Sequence, residues 1–338
     1  MTFASTTTVE APVLEVDDLH VDFDTPAGVV HAVRGVSFSV APGETIGIVG
    51  ESGSGKSVTA RAIMRLLPVP PARVTRGRVL LDDHDLLTVS KAEMRAHRGA
   101  DIAMVYQDPI RALNPTMRIG DQIVEAIRAH DHEISRDAAH RRAVELLDAV
   151  QIPAAAARAR TYPHQLSGGM RQRVVIAMAL SSDPRVLIAA EPTTALDVTV
   201  QAQILDLLAD LQTERRMALV LVTHDLGVAA WHTHRVLVMY AGRIVEEART
   251  DDLFAAMRMP YTRALFDSIP RLDRPAHQPL PAIHGKPPDM HRVPPGCPFH
   301  PRCSRATEIC GSEAPPETRI ADGHRWSCWH PLDVGALT

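Results

Sequence analysis

No apolar run in this 338-residue sequence approaches the about 20 residues needed to span a bilayer. The strongest runs, such as Ala218–Val222, stop after a handful. The opening MTFASTTTVEAP has neither the basic start nor the apolar centre of a secretory signal, so the expected compartment is the cytoplasm. Basic excess is also missing. The 36 Lys+Arg stand against 40 Asp+Glu, a net charge of -4, which argues against the broad basic footprint of a duplex nucleic-acid binder. Thiols are absent from the first 296 residues: Cys297, Cys303, Cys310 and Cys328 all lie in the last 42. In a reducing compartment that clustering favours metal ligation over disulfides. What remains is ordinary globular usage, with 45% hydrophobic and 22% charged residues, on a chain long enough for one large domain with an appendage or two modest ones.

Alternating apolar and polar residues over 14–23 and 33–40 predict half-buried strands, and the continuous apolar run over 45–49 predicts a buried one. A glycine-rich turn follows, then a helical segment over 57–67 that stops at Pro68. From about Lys91 to Asp183 strand signals fade after 102–106, and helical periodicity takes over in Ile123, Val124, Ile127 and in Val144, Leu147, Val150. Strand patterns return at 186–189, 219–222 and 236–240, separated by helices such as 201–211. This alternation predicts an α/β core with a largely parallel sheet. Beyond Met259 the texture changes, because 14 of the 26 prolines fall in the last 79 residues, where they disfavour long helices and central strands. The expected division is a core of 1–258, with a mainly helical subdomain of about 91–183, and an extension of 259–338 whose 270–301 stretch is irregular.

Gly50, Glu51, Ser52, Gly53, Ser54, Gly55, Lys56 and Ser57 fit G-x-x-x-x-G-K-[ST] between a predicted strand and a predicted helix. That context makes a phosphate loop: the glycines let the backbone curl its N–H groups toward one anion. Lys56 supplies a cation for the outer phosphates, Ser57 a hydroxyl for Mg2+, and the helix N-terminus a favourable partial charge. A second glycine pair, Leu166-Ser167-Gly168-Gly169-Met170, opens another helix and offers a similar anion-facing end. Gln107, Glu191 and His224 each follow a predicted core strand, with Asp197 six residues beyond Glu191. Open α/β sheets bind ligands at such strand ends.

This ordered set resembles the nucleotide-binding subunit of ATP-binding cassette (ABC) transporters over roughly residues 12–258. Within that family the chain is similar to ATPases of oligopeptide and dipeptide importers, through GESGSGKS, the segments 106–115, 162–173 and 191–203, and the cysteine-bearing tail. The resemblance implies a P-loop NTPase fold that binds ATP with Mg2+. It implies that Phe23 stacks on adenine, that Gln107 touches Mg2+ and the attacking water, and that Glu191 orients or deprotonates that water. His224 would contact the γ-phosphate, while Asp197 would face a partner. ATP would lie between one chain's phosphate loop and the other chain's Ser167, Gly168 and Gly169. The implied partners are a second, identical or homologous ATPase subunit, two transmembrane permease subunits and, through them, an extracytoplasmic substrate-binding protein; nucleic acid is not among them. The implied location is the cytoplasmic face of the cell membrane.

One position departs from the family's pattern. Its second acidic motif ends a strand with Asp-Glu, and here Ala190 precedes Glu191. A methyl cannot accept hydrogen bonds from metal-bound water, and loss of such a partner typically costs about 10–100-fold in affinity or activity. The expectation is Mg-ATP binding with reduced turnover at this chain's own site, and an intact glycine-pair motif for a partner's site.

The cysteines, spaced C-x5-C-x6-C-x17-C, lack the C-x2-C knuckles of common zinc sites. Spacing alone supports a four-thiolate metal site of unspecified type. The resemblance shifts this to a [4Fe-4S] cluster held by Cys297, Cys303, Cys310 and Cys328. Zinc is the alternative, with His300, His324 and His330 as further ligands. The competing functional reading is a soluble or regulatory ABC ATPase not engaged in transport. Soluble relatives acting in translation or DNA repair usually carry two cassettes or a long coiled-coil insertion, and neither pattern is present.

Overall fold

The computed structural model describes residues 11–194, 196–269 and 282–333. The first ten residues of the opening segment and 270–281 of the proline-rich stretch lie outside the described residues.

The strands in chain order are β1 (Leu14–Thr25), β2 (Gly28–Val40), β3 (Thr45–Val49), β4 (Ala72–Leu81), β5 (His84–Asp85) and β6 (Ile102–Val105). They continue with β7 (Val186–Ala190), β8 (Ala218–Val222), β9 (Arg235–Tyr240), β10 (Arg243–Arg249), β11 (Glu317–Arg319) and β12 (Arg325–Ser327). Two sheets result: an antiparallel one ordered β2-β1-β4-β5, and a larger one ordered β11-β12-β10-β9-β3-β8-β7-β6. In the larger sheet β9, β3, β8, β7 and β6 are mutually parallel. Every residue of β3 and of β8 is buried, which is why these strands read as unbroken apolar runs. The parallel arrangement brings the C-terminal ends of β3, β6, β7 and β8 to one edge of the sheet.

The helix after β3 spans Lys56–Ile63 and ends short of the expected boundary. Arg65 takes a left-handed conformation (φ 49°) that breaks the turn before Pro68 can. Between β6 and β7, the helices Ile119–Arg128, Arg136–Ala149 and Gly168–Ala179 share one apolar cluster through Ile123, Leu147 and Val174, as the periodicity predicts.

β4, β10 and the short strands β5, β11 and β12 have no counterpart in the sequence reading. β10 (RIVEEAR) hides its strand character because Glu246 and Glu247 are both buried; Glu246 is hydrogen-bonded to His324, and Glu247 pairs with Arg235 and Arg325. The extension joins the large sheet, since β12 pairs antiparallel with β10 (Glu246 opposite Trp326, Glu247 opposite Arg325). Tyr261, Leu265, Cys297, Phe299 and Cys310 also share a core with Val49 and Leu226. Among the described residues no helix is long and apolar enough to cross a membrane.

Candidate functional site

The glycines of the loop after β3 answer to specific neighbours. Gly50 sits at φ 150°, and a Cβ there would lie 2.2 Å from the carbonyl oxygen of Met239 in β9. Gly55 sits at φ 104°, where a Cβ would fall 2.6 Å from the carbonyl of Ala32 in β2. The loop is therefore wedged between two strands with no room for side chains at these points. Lys56 is buried, and its Nζ donates to the carbonyls of Gly50 (2.7 Å) and Glu51 (3.0 Å), drawing the loop around the ammonium. Burial pulls the Lys56 pKa below the ordinary lysine range, and the carboxylates of Glu191 and Glu51 oppose that shift.

Two observations show that the loop suits a phosphate. The hydroxyl of Ser54 is buried without a hydrogen-bond partner, and the helix Lys56–Ile63 begins with no side-chain cap on its amides. Ser57 is exposed on the first turn of that helix, and Ser52 and Gly53 are exposed on the loop.

Glu191 collects the other strand ends. Gln107 Nε2, two residues past β6, donates to Glu191 Oε2 at 3.2 Å. His224 Nδ1, two residues past β8, stands 3.6 Å from the same oxygen. The structure thus brings together three residues singled out from the sequence. It adds Thr194, whose hydroxyl donates to Glu191 Oε2 at 3.0 Å. Glu191 itself adopts a left-handed backbone (φ 50°), and its N–H donates to the carbonyl of Val222 at 2.8 Å. Such a conformation costs of order 1–3 kcal/mol in a non-glycine residue and concentrates at functional sites. Ala190, the half-buried last residue of β7, carries no side-chain oxygen beside Glu191.

Phe23 lies in β1 opposite Val30 and Ala72 and packs in part against the core. Ser167 and Asp197 each cap a helix: Ser167 accepts from Met170 N (3.3 Å) and Asp197 from Val200 N (2.9 Å). A Cβ on Gly169 would meet Val200 at 2.5 Å, so the bare glycine lets these two helix starts close up. Gly168 shares an open cleft of roughly 740 Å3 with Gln107 and Thr194.

The four cysteines line one small pocket together with His300, His330 and Trp329. Burial raises the thiol pKa of Cys297 and Cys303 and pushes that of Cys328 up to about 11. Among the described residues no group of three or more His, Cys, Asp or Glu is gathered to hold a metal ion; the four thiols share the pocket without forming a ready-made ligand set. His324 lies apart from it. Its Nε2 bonds to Glu246 Oε1 at 2.9 Å, which removes it from the candidate ligands, whereas His300 and His330 stay at the pocket.

Sequence reasoning gives no sign of Tyr261 and Arg302. The Tyr261 hydroxyl accepts from Glu51 N at 2.9 Å, and Arg302 makes a two-pronged ion pair with the Glu51 carboxylate. Residues 51 and 302 are 251 positions apart, and no local pattern marks either as the other's partner.

A mostly parallel α/β sheet with a phosphate loop after the inner strand β3, and a Gln–Glu–His group at the neighbouring strand ends, defines a phosphate-loop nucleoside triphosphatase fold. The ABC transporter family model matches residues 33–194, and the model for the oligopeptide/dipeptide transporter C-terminal region matches 245–310. The chain is 51% identical over 317 residues to the dipeptide transport ATP-binding protein DppD of Bacillus subtilis, covering 94% of each chain. It is 46% identical over 338 residues to the oligopeptide transport ATP-binding protein OppD of Salmonella typhimurium, covering 97% of this chain and 98% of that one. Among solved structures, a dimeric ATP-binding cassette, MJ0796, bound to ADP and phosphate after hydrolysis, superposes with a TM-score of 0.63 at 28% identity, covering 70% of this chain and 98% of that one. The chain belongs to the ABC transporter family, among its ATP-binding subunits of the oligopeptide/dipeptide type.

Proposed function

We propose that this chain binds and hydrolyses ATP to energise a peptide-class ABC importer. The observation that carries the site assignment is the convergence of Gln107, Thr194 and His224 on Glu191. Lys56 and the loop amides hold the phosphates; Glu191 positions the attacking water and takes its proton; His224 and Gln107 hold the far side of the γ-phosphate and the water. Mg2+, when bound, neutralises phosphate charge. Ser57 and Gln107 are the residues that would hold it, with no carboxylate at 190 to help. Phosphoryl transfer depends mainly on positioning and charge stabilisation, so this site retains ATP affinity while its turnover is slowed.

Ser167, Gly168 and Asp197 are exposed, with Ser167 and Asp197 capping their helices and Gly169 buried just behind; this is the face where a second ATPase subunit, identical or homologous, is met. Closure of the pair on ATP and its release on hydrolysis would drive two permease subunits, with peptide delivered by an extracytoplasmic binding protein. The chain would sit peripherally on the cytoplasmic face of the membrane. Phe23 takes the adenine face. The functional division is a cassette of 1–258 and an extension of 259–338. In the extension Cys297, Cys303, Cys310 and Cys328 would hold a [4Fe-4S] cluster that staples a proline-rich segment; four soft thiols around one pocket suit that chemistry.

The test is purification from native membranes with every partner identified and bound metal measured. Permease subunits together with nucleotide-dependent phosphate release support the reading. An ATPase that purifies without membrane partners supports a regulatory role instead. Iron with labile sulfide supports the cluster, and zinc in a colourless preparation overturns it.

A further inference from the structure

Arg302 belongs to the short turn His300–Arg302 between two of the cysteines, yet its side chain ends at the phosphate loop. It is 3% exposed. Its NH1 donates to Glu51 Oε2 at 2.6 Å and its NH2 to Glu51 Oε1 at 2.9 Å. NH1 also reaches the Tyr240 hydroxyl at 3.2 Å, and Nε donates to the carbonyl of His284 at 2.9 Å. The rings of Tyr240 and Phe299 flank the guanidinium, with centroids 5.9 and 5.8 Å away. The Glu51 hydrogen bonds hold the Arg302 pKa above even the usual arginine range.

The other end of the clamp is the loop itself. Glu51 is the second residue of the phosphate motif. Its carboxylate is gripped by Arg302, its N–H by Tyr261, and its carbonyl by Lys56 Nζ. One residue thus ties three side chains to one stretch of backbone, and two of them, Tyr261 and Arg302, come from beyond residue 258. An exposed ion pair is worth little. A bidentate pair whose guanidinium is buried and whose carboxylate is only partly exposed fixes geometry, and a rigid loop binds its ligand with less ordering cost.

We infer that Arg302 is a positioning residue for nucleotide binding: it sets the Glu51 peptide before ATP arrives, and so couples nucleotide affinity to the seating of the cysteine-bearing turn. This rests on the reading that the loop binds ATP. Arg302 makes no contact with the reacting atoms in this assignment; it acts through Glu51.

The test uses the assembled transporter and compares wild type, Arg302→Ala, Arg302→Lys and Arg325→Ala. Arg325 also anchors the extension, through Glu247 and the Ser37 carbonyl, without touching the loop, so it controls for simple loosening. Arg302→Ala is expected to raise the KM for ATP and the Kd for Mg-ATP about tenfold, with kcat within about twofold. Arg302→Lys keeps the charge without the fork and is expected to raise both about threefold. Arg325→Ala is expected to lower the melting temperature with KM unchanged. Should Arg302→Ala fail to fold, the lysine variant decides, and an unchanged KM there overturns the inference. So does a KM rise in Arg325→Ala equal to that in Arg302→Ala. Wild type that binds no ATP would defeat the functional reading itself, a result distinct from either.

Discussion

Along the parallel strands β3, β6, β7 and β8, each chemical group follows its own strand by one or two residues: Gly50, Gln107, Glu191 and His224. Along the antiparallel edge of β10, β12 and β11, and elsewhere in the extension, the decisive links are side chains that reach across the sequence: His324 to Glu246 and Arg325 to Glu247 at the edge, and Arg302 of the extension to Glu51 of the loop. The parallel region gets its geometry from the backbone, because strand ends in one sheet are neighbours by construction. The antiparallel edge gets it from buried charge pairs, which hold only when both partners are present. Chemistry therefore sits in the first region and its adjustment in the second.

The sharpest way to break this contrast is to remove the group on which the strand ends converge. Glu191→Gln keeps the shape and abolishes the base. Turnover by the assembled transporter should fall about 10²–10⁴-fold, with Mg-ATP binding retained; phosphate release and equilibrium binding measure the two. Next comes Ala190→Asp, which restores an oxygen at the end of β7. Phosphate release should rise about 10–100-fold, and an unchanged rate would mean that position 190 does not limit this site. Gly50→Ala tests whether backbone alone shapes the loop. With Met239 O at 2.2 Å from the added methyl, the fold should lose about 1–3 kcal/mol together with nucleotide affinity, as read by thermal melting and ATP titration.

The smallest expected effect belongs to the cysteine pocket. Cys328 is pushed up to about 11, and burial also raises Cys297 and Cys303, so at neutral pH these thiols carry their protons. Metal ligation needs thiolates and must expel those protons. Uptake of iron or zinc should therefore tighten from about pH 7 to about pH 9, with measurable proton release. Uptake independent of pH would show that these thiols are not the ligands.

The same contrast explains what the sequence made legible. The loop, the buried strands and the order of Gln107, Glu191 and His224 are local signals: a motif of eight residues between strand and helix, and polar groups placed after apolar runs. The boundaries of β3, β7 and β8 follow closely because those strands are buried on both faces. β10 escaped because its buried residues include two glutamates, whose partners come from β9 and the far end of the chain. Thr194 lay inside a quoted motif, but its tie to Glu191 depends on the turn that follows β7. Tyr261 and Arg302 carried no signal, since a grip on residue 51 from beyond residue 258 is a property of the assembled core. His324 as a metal ligand is the reverse error: proximity in sequence to Cys328 suggested it, and a buried carboxylate claims it.

The central claim is that the curled backbone after β3, with Lys56 at its centre, grips the phosphates of ATP. Calorimetric titration of Mg-ATP into the purified chain and into Lys56→Ala tests it most directly. Saturable binding by wild type that is lost in the variant is the expected result. No saturable binding, or binding of equal strength in both, would contradict the account.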